Sequence, residues 1–228
     1  MALFILIFTT INLFGQIQVM PVVIEEPVLE QTSGFWLIRN IDLYDGVTVT
    51  VSEDADWIET EKSFSLEGNE EKAVPYVFKG VTLDGETFAA VFFAPETRSP
   101  VVARIGCGVY AWPAKMKPVP KLKLSLSANS DVISVEAENS GNIHLRPQFT
   151  VKVFRKETEL FSSFSPLGIP VRKGEKRRYS LHDKLPRLED GKYAVLIETN
   201  FGVPYKFKNK IIQRKYVLTV KNGAYEIK

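Results

Sequence analysis

Apolar and polar positions alternate along most of this chain. In "VTVTV" (47–51), "KLKLSLS" (121–127) and "FTVKVF" (149–154) every second side chain is apolar. In a strand that spacing puts Val or Leu on one face and Thr, Lys or Ser on the other. The same reading predicts strands at 18–24, 35–40, 73–78, 87–93, 101–111, 132–138, 178–181, 193–199 and 216–220. Turn signals separate them: "DG" at 45–46, 84–85 and 190–191, "EGN" at 67–69, "NSGN" at 139–142 and "NG" at 222–223. Beyond the first fifteen residues no helix-period stretch exceeds about two turns. Many short strands with regular turns predict an all-β chain built of sandwiches.

Two segments interrupt the pattern. "MALFILIFTTINLFG" (1–15) carries no charged side chain and ends in a small residue. Its apolar run has the length of a signal-peptide core and falls short of the ~20 residues of a membrane span. Residues 1–15 are therefore expected to be a signal peptide, with no membrane span in the mature chain. "WPAKMKPVPK" (112–121) holds three prolines and three lysines. Proline fixes φ and lacks an N–H, so this piece is excluded from the interior of a sheet and reads as a stiff, extended linker. The expected organisation is a signal peptide at 1–15, a sandwich at 17–113, a linker at 114–119 and a second sandwich at 120–228.

Charge changes sign across that linker. Residues 16–113 contain six Lys/Arg and sixteen Asp/Glu, a net of −10, whereas 114–228 contain 23 and 11, a net of +12. An acidic domain followed by a basic one bears on partners and assembly more than on fold. The densest basic run is "RKGEKRR", with Arg172, Lys173, Lys176, Arg177 and Arg178. It is a candidate binding surface for an anionic envelope polymer or an acidic protein domain. It lacks the interleaved aromatics of a nucleic-acid site, and no nucleic-acid partner is expected.

The residue inventory argues against catalysis. One cysteine, Cys107, excludes an intrachain disulfide and a thiolate-pair zinc site; it falls in phase with Val109 and is expected on the core face. Phosphate-binding glycine motifs are missing. His144, in "ENSGNIHLRP", is expected to be a turn or edge residue: Asn139, Gly141 and Asn142 suit a tight bend, and Pro147 favours extended chain before it. "SLHD" (Ser180, His182, Asp183) places triad letters side by side, but neighbours in a chain do not converge on one reacting atom. Neither enzyme activity nor a cofactor is expected. Trp36, Trp57 and Trp112 are read as packing residues, with Trp57 the best exposed candidate for stacking on a sugar. "LEDGKYAVLIE" places Tyr193 where the tyrosine corner of an immunoglobulin-like sandwich stands, its hydroxyl bonding back to upstream backbone.

Taken together, "QVMPVVIEEP", "FWLIRNIDLYDGVTVTV", "ARIGCGVYAWP" and "ISVEAENSGNIHLRPQFTVKV" resemble the strands of the PapD-like family of periplasmic chaperones. The resemblance spans the mature chain, and "NSGNIHLRP" is its most specific piece. It implies two tandem immunoglobulin-like sandwiches after a signal peptide, in a non-catalytic secreted protein of the periplasm or cell surface that binds another envelope protein. In that family the last strand of domain one is lent to a pilus subunit, and basic cleft residues grip the subunit's carboxylate. This chain departs on both counts. Gly108 stands where the family has a Lys, and "VVIEEPVLEQ" has no Arg. The outward face of the last strand reads Val102, Arg104, Gly106, Gly108, Tyr110, Trp112, of which Arg104, Tyr110 and Trp112 are candidate contact residues. The alternative is a structural subunit of a surface layer or filament, in which acidic domain one of one copy meets basic domain two of the next.

Overall fold

The computed structural model describes residues 16–28, 31–79, 85–96, 103–165, 169–201 and 211–228. The expected signal peptide at 1–15 and the start of the strand expected at 101–111 lie outside the described residues. Among the described residues all regular structure is β. The strands are β1 (Ile17–Met20), β2 (Val23–Val28), β3 (Gln31–Asn40), β4 (Val47–Glu53), β5 (Ile58–Thr60), β6 (Ser63–Leu66), β7 (Glu71–Lys79), β8 (Thr87–Pro95), β9 (Ile105–Pro113), β10 (Leu122–Ala128), β11 (Ile133–Asn139), β12 (Gln148–Arg155), β13 (Thr158–Phe164), β14 (Lys176–Ser180), β15 (Gly191–Asn200), β16 (Ile211–Lys221) and β17 (Ala224–Ile227). The chain divides into two compact units between Met116 and Lys117.

The first unit packs a four-stranded sheet, in the order β1-β3-β7-β5, with a five-stranded sheet, β2-β9-β8-β4-β6. Strict alternation builds the core between them. Val47, Val49 and Val51 of β4 are buried while Thr50 and Ser52 are exposed. Trp36, Phe78 and Phe93 form its centre, the Trp36 ring lying 5.4 Å edge-on to Phe93. A single strand is expected at 18–24, but the chain changes sheets at Pro21. β1 pairs antiparallel with β3, and β2 pairs parallel with β9. Val19 and Ile24 both face the core although five positions separate them, so the period-two phase is broken at this switch.

The second unit packs a three-stranded sheet, β10-β11-β14, with a five-stranded sheet, β13-β12-β15-β16-β17. Ile133, Val135 and Ala137 of β11 meet Val151 and Val153 of β12 and Val195 and Ile197 of β15 in one cluster. Each large side chain withdrawn from water in this way contributes roughly 1.5–3 kcal/mol. The β16–β17 hairpin turns at Asn222 and Gly223, both at positive φ (52° and 75°), as a two-residue hairpin loop requires. Tyr193, at the start of β15, donates its hydroxyl to the Glu189 carbonyl at 2.7 Å, closing a tyrosine corner.

Candidate binding surfaces

The outer face of the β2-β9-β8-β4-β6 sheet is built around two glycines. Gly106 and Gly108 of β9 lie opposite Phe92 and Ala90 of β8. A Cβ on Gly106 would stand 3.1 Å from the Phe92 ring, and one on Gly108 would stand 3.4 Å from Phe88. The missing side chains leave room for both phenylalanines to lie across β9. Arg104 is exposed, with its guanidinium 4.3 Å from the centre of the Phe92 ring, a cation–π arrangement that keeps the charge in water. Phe88 and Phe92 are half-buried. The result is a low apolar strip on a sheet face, edged by one cation.

Tyr110 and Trp112 are not part of the accessible surface expected of them. They are only 3% and 7% exposed. β9 is not an edge strand: β8 pairs along one side and β2 along the other, with Glu25 opposite Tyr110 and Pro27 opposite Trp112. The Tyr110 ring also leans on Phe88 at 4.8 Å. The outermost strand on this side is β2, and its Pro27 lies between the Ile24 and Val28 positions that face the core. Val22 and Val28 direct their carbonyls to Gly108 and Ala114, so in the alternating ladder Pro27 belongs to the outward set. There its missing N–H costs no ladder bond.

Residues of "RKGEKRR" sit on β14 and the turn before it, and three glutamates already share their charge. Lys176 pairs with Glu136 at 2.7 Å, and Arg177 pairs with Glu175 at 2.5 Å. The register sets Lys123, Glu138 and Lys176 in one row and Ser125, Glu136 and Arg178 in the next. The Lys176 hydrogen bond, helped by Ser125 and nearby cations, holds the Glu136 carboxyl below its usual range. Burial pushes Glu175 up, but the Arg172 N–H and the Arg177 guanidinium outweigh it and leave Glu175 lowered. This β14 face is therefore a mixed-charge ladder. Arg172, Lys173 and Arg178 are exposed as well.

The bend in "ENSGNIHLRP" is a structural clamp. Asn139 is fully buried and directs its Nδ2 to the carbonyls of Ile143 (2.8 Å) and Val171 (2.9 Å), while its Oδ1 accepts the Gly141 N–H at 2.9 Å. Asn142 bonds the linker at two points: its Oδ1 accepts the Val119 N–H at 2.6 Å and its Nδ2 donates to the Lys117 carbonyl at 3.0 Å. Gly141 lies so close to the Val119 carbonyl that a Cβ would overlap it. Residues 117–121, read as linker, are thus held on the second unit. His144 lies in this bend between β11 and β12 and is fully buried, flanked by buried Ile143 and Leu145, and Pro147 is buried behind it. Leu145 bridges to Val171, which draws this stretch inward.

The remaining candidates for chemistry are structural as well. His182 lies flat on Phe164, ring centres 5.7 Å apart, and Asp183 bonds Ser163 at 2.9 Å rather than the histidine. Cys107 is buried, and burial pushes its thiol up to about 12, leaving it unreactive at neutral pH. Trp57 is only 8% exposed and packs edge-on against Phe78 at 5.3 Å, which removes it as a sugar platform. Among the described residues no group of three or more His, Cys, Asp or Glu is placed to hold a metal ion, and no helix is long and apolar enough to cross a membrane.

The sequence matches no protein-family model and no curated protein sequence. Solved structures do match. The Salmonella enterica SafB chaperone in complex with the SafA pilin aligns with 91% of this chain and 98% of its own, at a TM-score of 0.54 and 13% identity. The E. coli chaperone DraB aligns with 87% and 95%, at 0.51 and 11%. The periplasmic chaperone SfaE aligns with 86% and 98%, at 0.51 and 11%. Across most of its length this chain has the tandem immunoglobulin-like fold of PapD-like pilus chaperones.

Proposed function

We propose that this chain is a non-catalytic envelope protein of chaperone or adaptor type, which binds another secreted or surface protein on the outer face of the β2-β9-β8-β4-β6 sheet. The observation that carries this reading is the strip formed by Phe88 and Phe92 over Gly106 and Gly108, with Arg104 at its edge. An apolar strip with one guanidinium suits an apolar side chain of a protein partner better than a polar small molecule. The tandem fold, shared with structures described as chaperones and one of them in complex with a pilin, supports the same class of role. Secretion to the periplasm or cell surface follows from the expected signal peptide. A chaperone that lends β9 to a subunit fits less well, because β9 is paired on both sides and carries two glycines where anchoring side chains would be needed.

The test is retention of envelope proteins on the immobilised full chain, compared with Phe92→Ser and Arg104→Ser. Selective loss of a retained protein with Phe92→Ser supports docking on this face. Equal retention by all three chains removes it.

A further inference from the structure

A second apolar surface lies elsewhere on the first unit. The β3–β4 loop exposes Ile41 (45%), Leu43 (63%) and Tyr44 (90%) in one short run. Loops that expose apolar residues by slackness lack internal bonds; this one is pinned throughout. Asn40 donates to the Asp45 and Glu67 carbonyls at 2.7 and 3.0 Å. Asp42 Oδ1 accepts the N–H groups of Tyr44 and Asp45 at 2.9 and 3.0 Å. The Asp42 carbonyl accepts from Asn69, and Ile41 donates to Gln16. Gly68 closes the packing from behind, where a Cβ would meet the Leu43 carbonyl at 2.7 Å. A rigid loop that holds a tyrosine and a leucine in water has already lost the freedom that binding would otherwise cost.

The rim of this knob is acidic. Asp45, Glu67, Glu70 and Glu71 are exposed around it; they outnumber Arg39, which bonds the neutral Asn69 amide, and Lys72, which pairs with Glu61. Like charge disfavours an anionic membrane or another acidic first domain, so the complementary surface is apolar with a basic rim. The second unit of this same chain carries one. Ile169 is 61% exposed, its carbonyl fixed by the Tyr179 hydroxyl at 2.8 Å. Arg172 and Lys173 follow, both exposed, and the one acidic residue between 169 and 181 is Glu175, already engaged by the Arg172 backbone N–H and the Arg177 guanidinium.

We propose that the Leu43–Tyr44 knob of one copy docks on the Ile169–Lys173 segment of a second copy. A contact between two different surfaces of identical chains is head-to-tail and can extend beyond a pair. It uses neither Phe88 nor Phe92, so it stands or falls separately from partner docking on the sheet face.

Sedimentation of the full chain over a concentration series, at low and at high salt, tests it. The expected result is self-association at low salt that weakens at least about tenfold with Tyr44→Ser and, equally, with Ile169→Ser, and weakens as screening rises. Both side chains are in water in the single copy, so neither variant disturbs folding. A monomer at every concentration up to ~100 μM at low salt, or weakening by only one of the two variants, overturns the proposal. The first outcome would leave a different basic protein as the knob's occupant.

Discussion

The Asn40 and Asn139 side chains make the same set of bonds in two different domains. Each is the last residue of its strand, β3 or β11, and each is fully buried. Asn40 Oδ1 accepts the N–H of Asp42 at 3.0 Å, and Asn139 Oδ1 accepts that of Gly141 at 2.9 Å, two residues on in both cases. Each Nδ2 donates to one carbonyl of its own loop, Asp45 or Ile143, and to one distant carbonyl, Glu67 or Val171. Two backbone groups lose their partner if either amide is removed, because the Glu67 carbonyl still accepts the Glu70 N–H and the Val171 carbonyl the Leu145 N–H. At ~1–3 kcal/mol for each buried group left unpaired, Asn40→Ala and Asn139→Ala should each cost at least about 2 kcal/mol in their own domain. Trp36, Trp57 and Trp112 all belong to the first unit. Asn40→Ala should therefore shift urea unfolding followed by tryptophan fluorescence, whereas Asn139→Ala should leave that transition in place and raise amide exchange in 120–228.

That repeat was not legible as a repeat, because the two loops share little sequence beyond the asparagine and a small or acidic residue two positions later. What was legible followed burial. β4, β11 and β12 put apolar side chains inward and mostly polar ones outward, and period-two reading finds such strands. β13 inverts the rule. Its Ser163 is buried against Asp183, while Leu160 and Phe164 are 41% and 54% exposed; hydropathy alone gives it the wrong face, and no strand was expected there. β5, β6 and β17 are short strands at or near sheet edges, where few residues carry the signal. The misplacement of Tyr110 and Trp112 had another cause. Alternation assigns a side chain to a face, but it does not tell that β2 would run parallel alongside β9.

Gly141→Ala should loosen the start of the second unit without touching its core. The new methyl overlaps the Val119 carbonyl, which also accepts the Asn142 N–H, so residues 117–121 must lift from the bend. Trypsin should then cut after Lys121 several-fold faster than in the parent chain, since cleavage tracks the population of the opened segment. Asn142→Ala, which removes two bonds and adds no clash, should show a smaller increase.

Tyr193→Phe deletes only the hydroxyl that donates to Glu189. The ring stays in its pocket, so the expected loss is about 1 kcal/mol, the net value of one hydrogen bond. Equilibrium unfolding of the second unit by urea checks it.

Glu26 points from β2 toward Tyr76, whose hydroxyl donates to it at 3.2 Å. Burial raises the Glu26 carboxyl above its ordinary 4.5, and the Tyr76 hydrogen bond offsets this only in part. A carboxyl with a raised pKa in the fold binds its proton more tightly there than in the unfolded chain. Its contribution therefore favours folding below about pH 4.5, declines as pH rises through the folded value and stays at that lower level above it. Glu26→Gln keeps the acceptor for Tyr76 and removes the charge. It should raise the melting temperature of the first unit at pH 7 and flatten its dependence on pH above 4.5, as read by calorimetry across pH 4–8.

The central claim, that this sandwich pair binds another envelope protein on its β8–β9 face, is tested most directly by capture. The immobilised full chain is exposed to an envelope extract of its own organism, washed at low and then high salt, beside an identical surface carrying Phe92→Ser. The account predicts one or a few distinct proteins held through the salt wash by the parent chain and lost with Phe92→Ser. Retention of nothing but the chain itself, released by salt, or the same proteins held equally by Phe92→Ser, would contradict it.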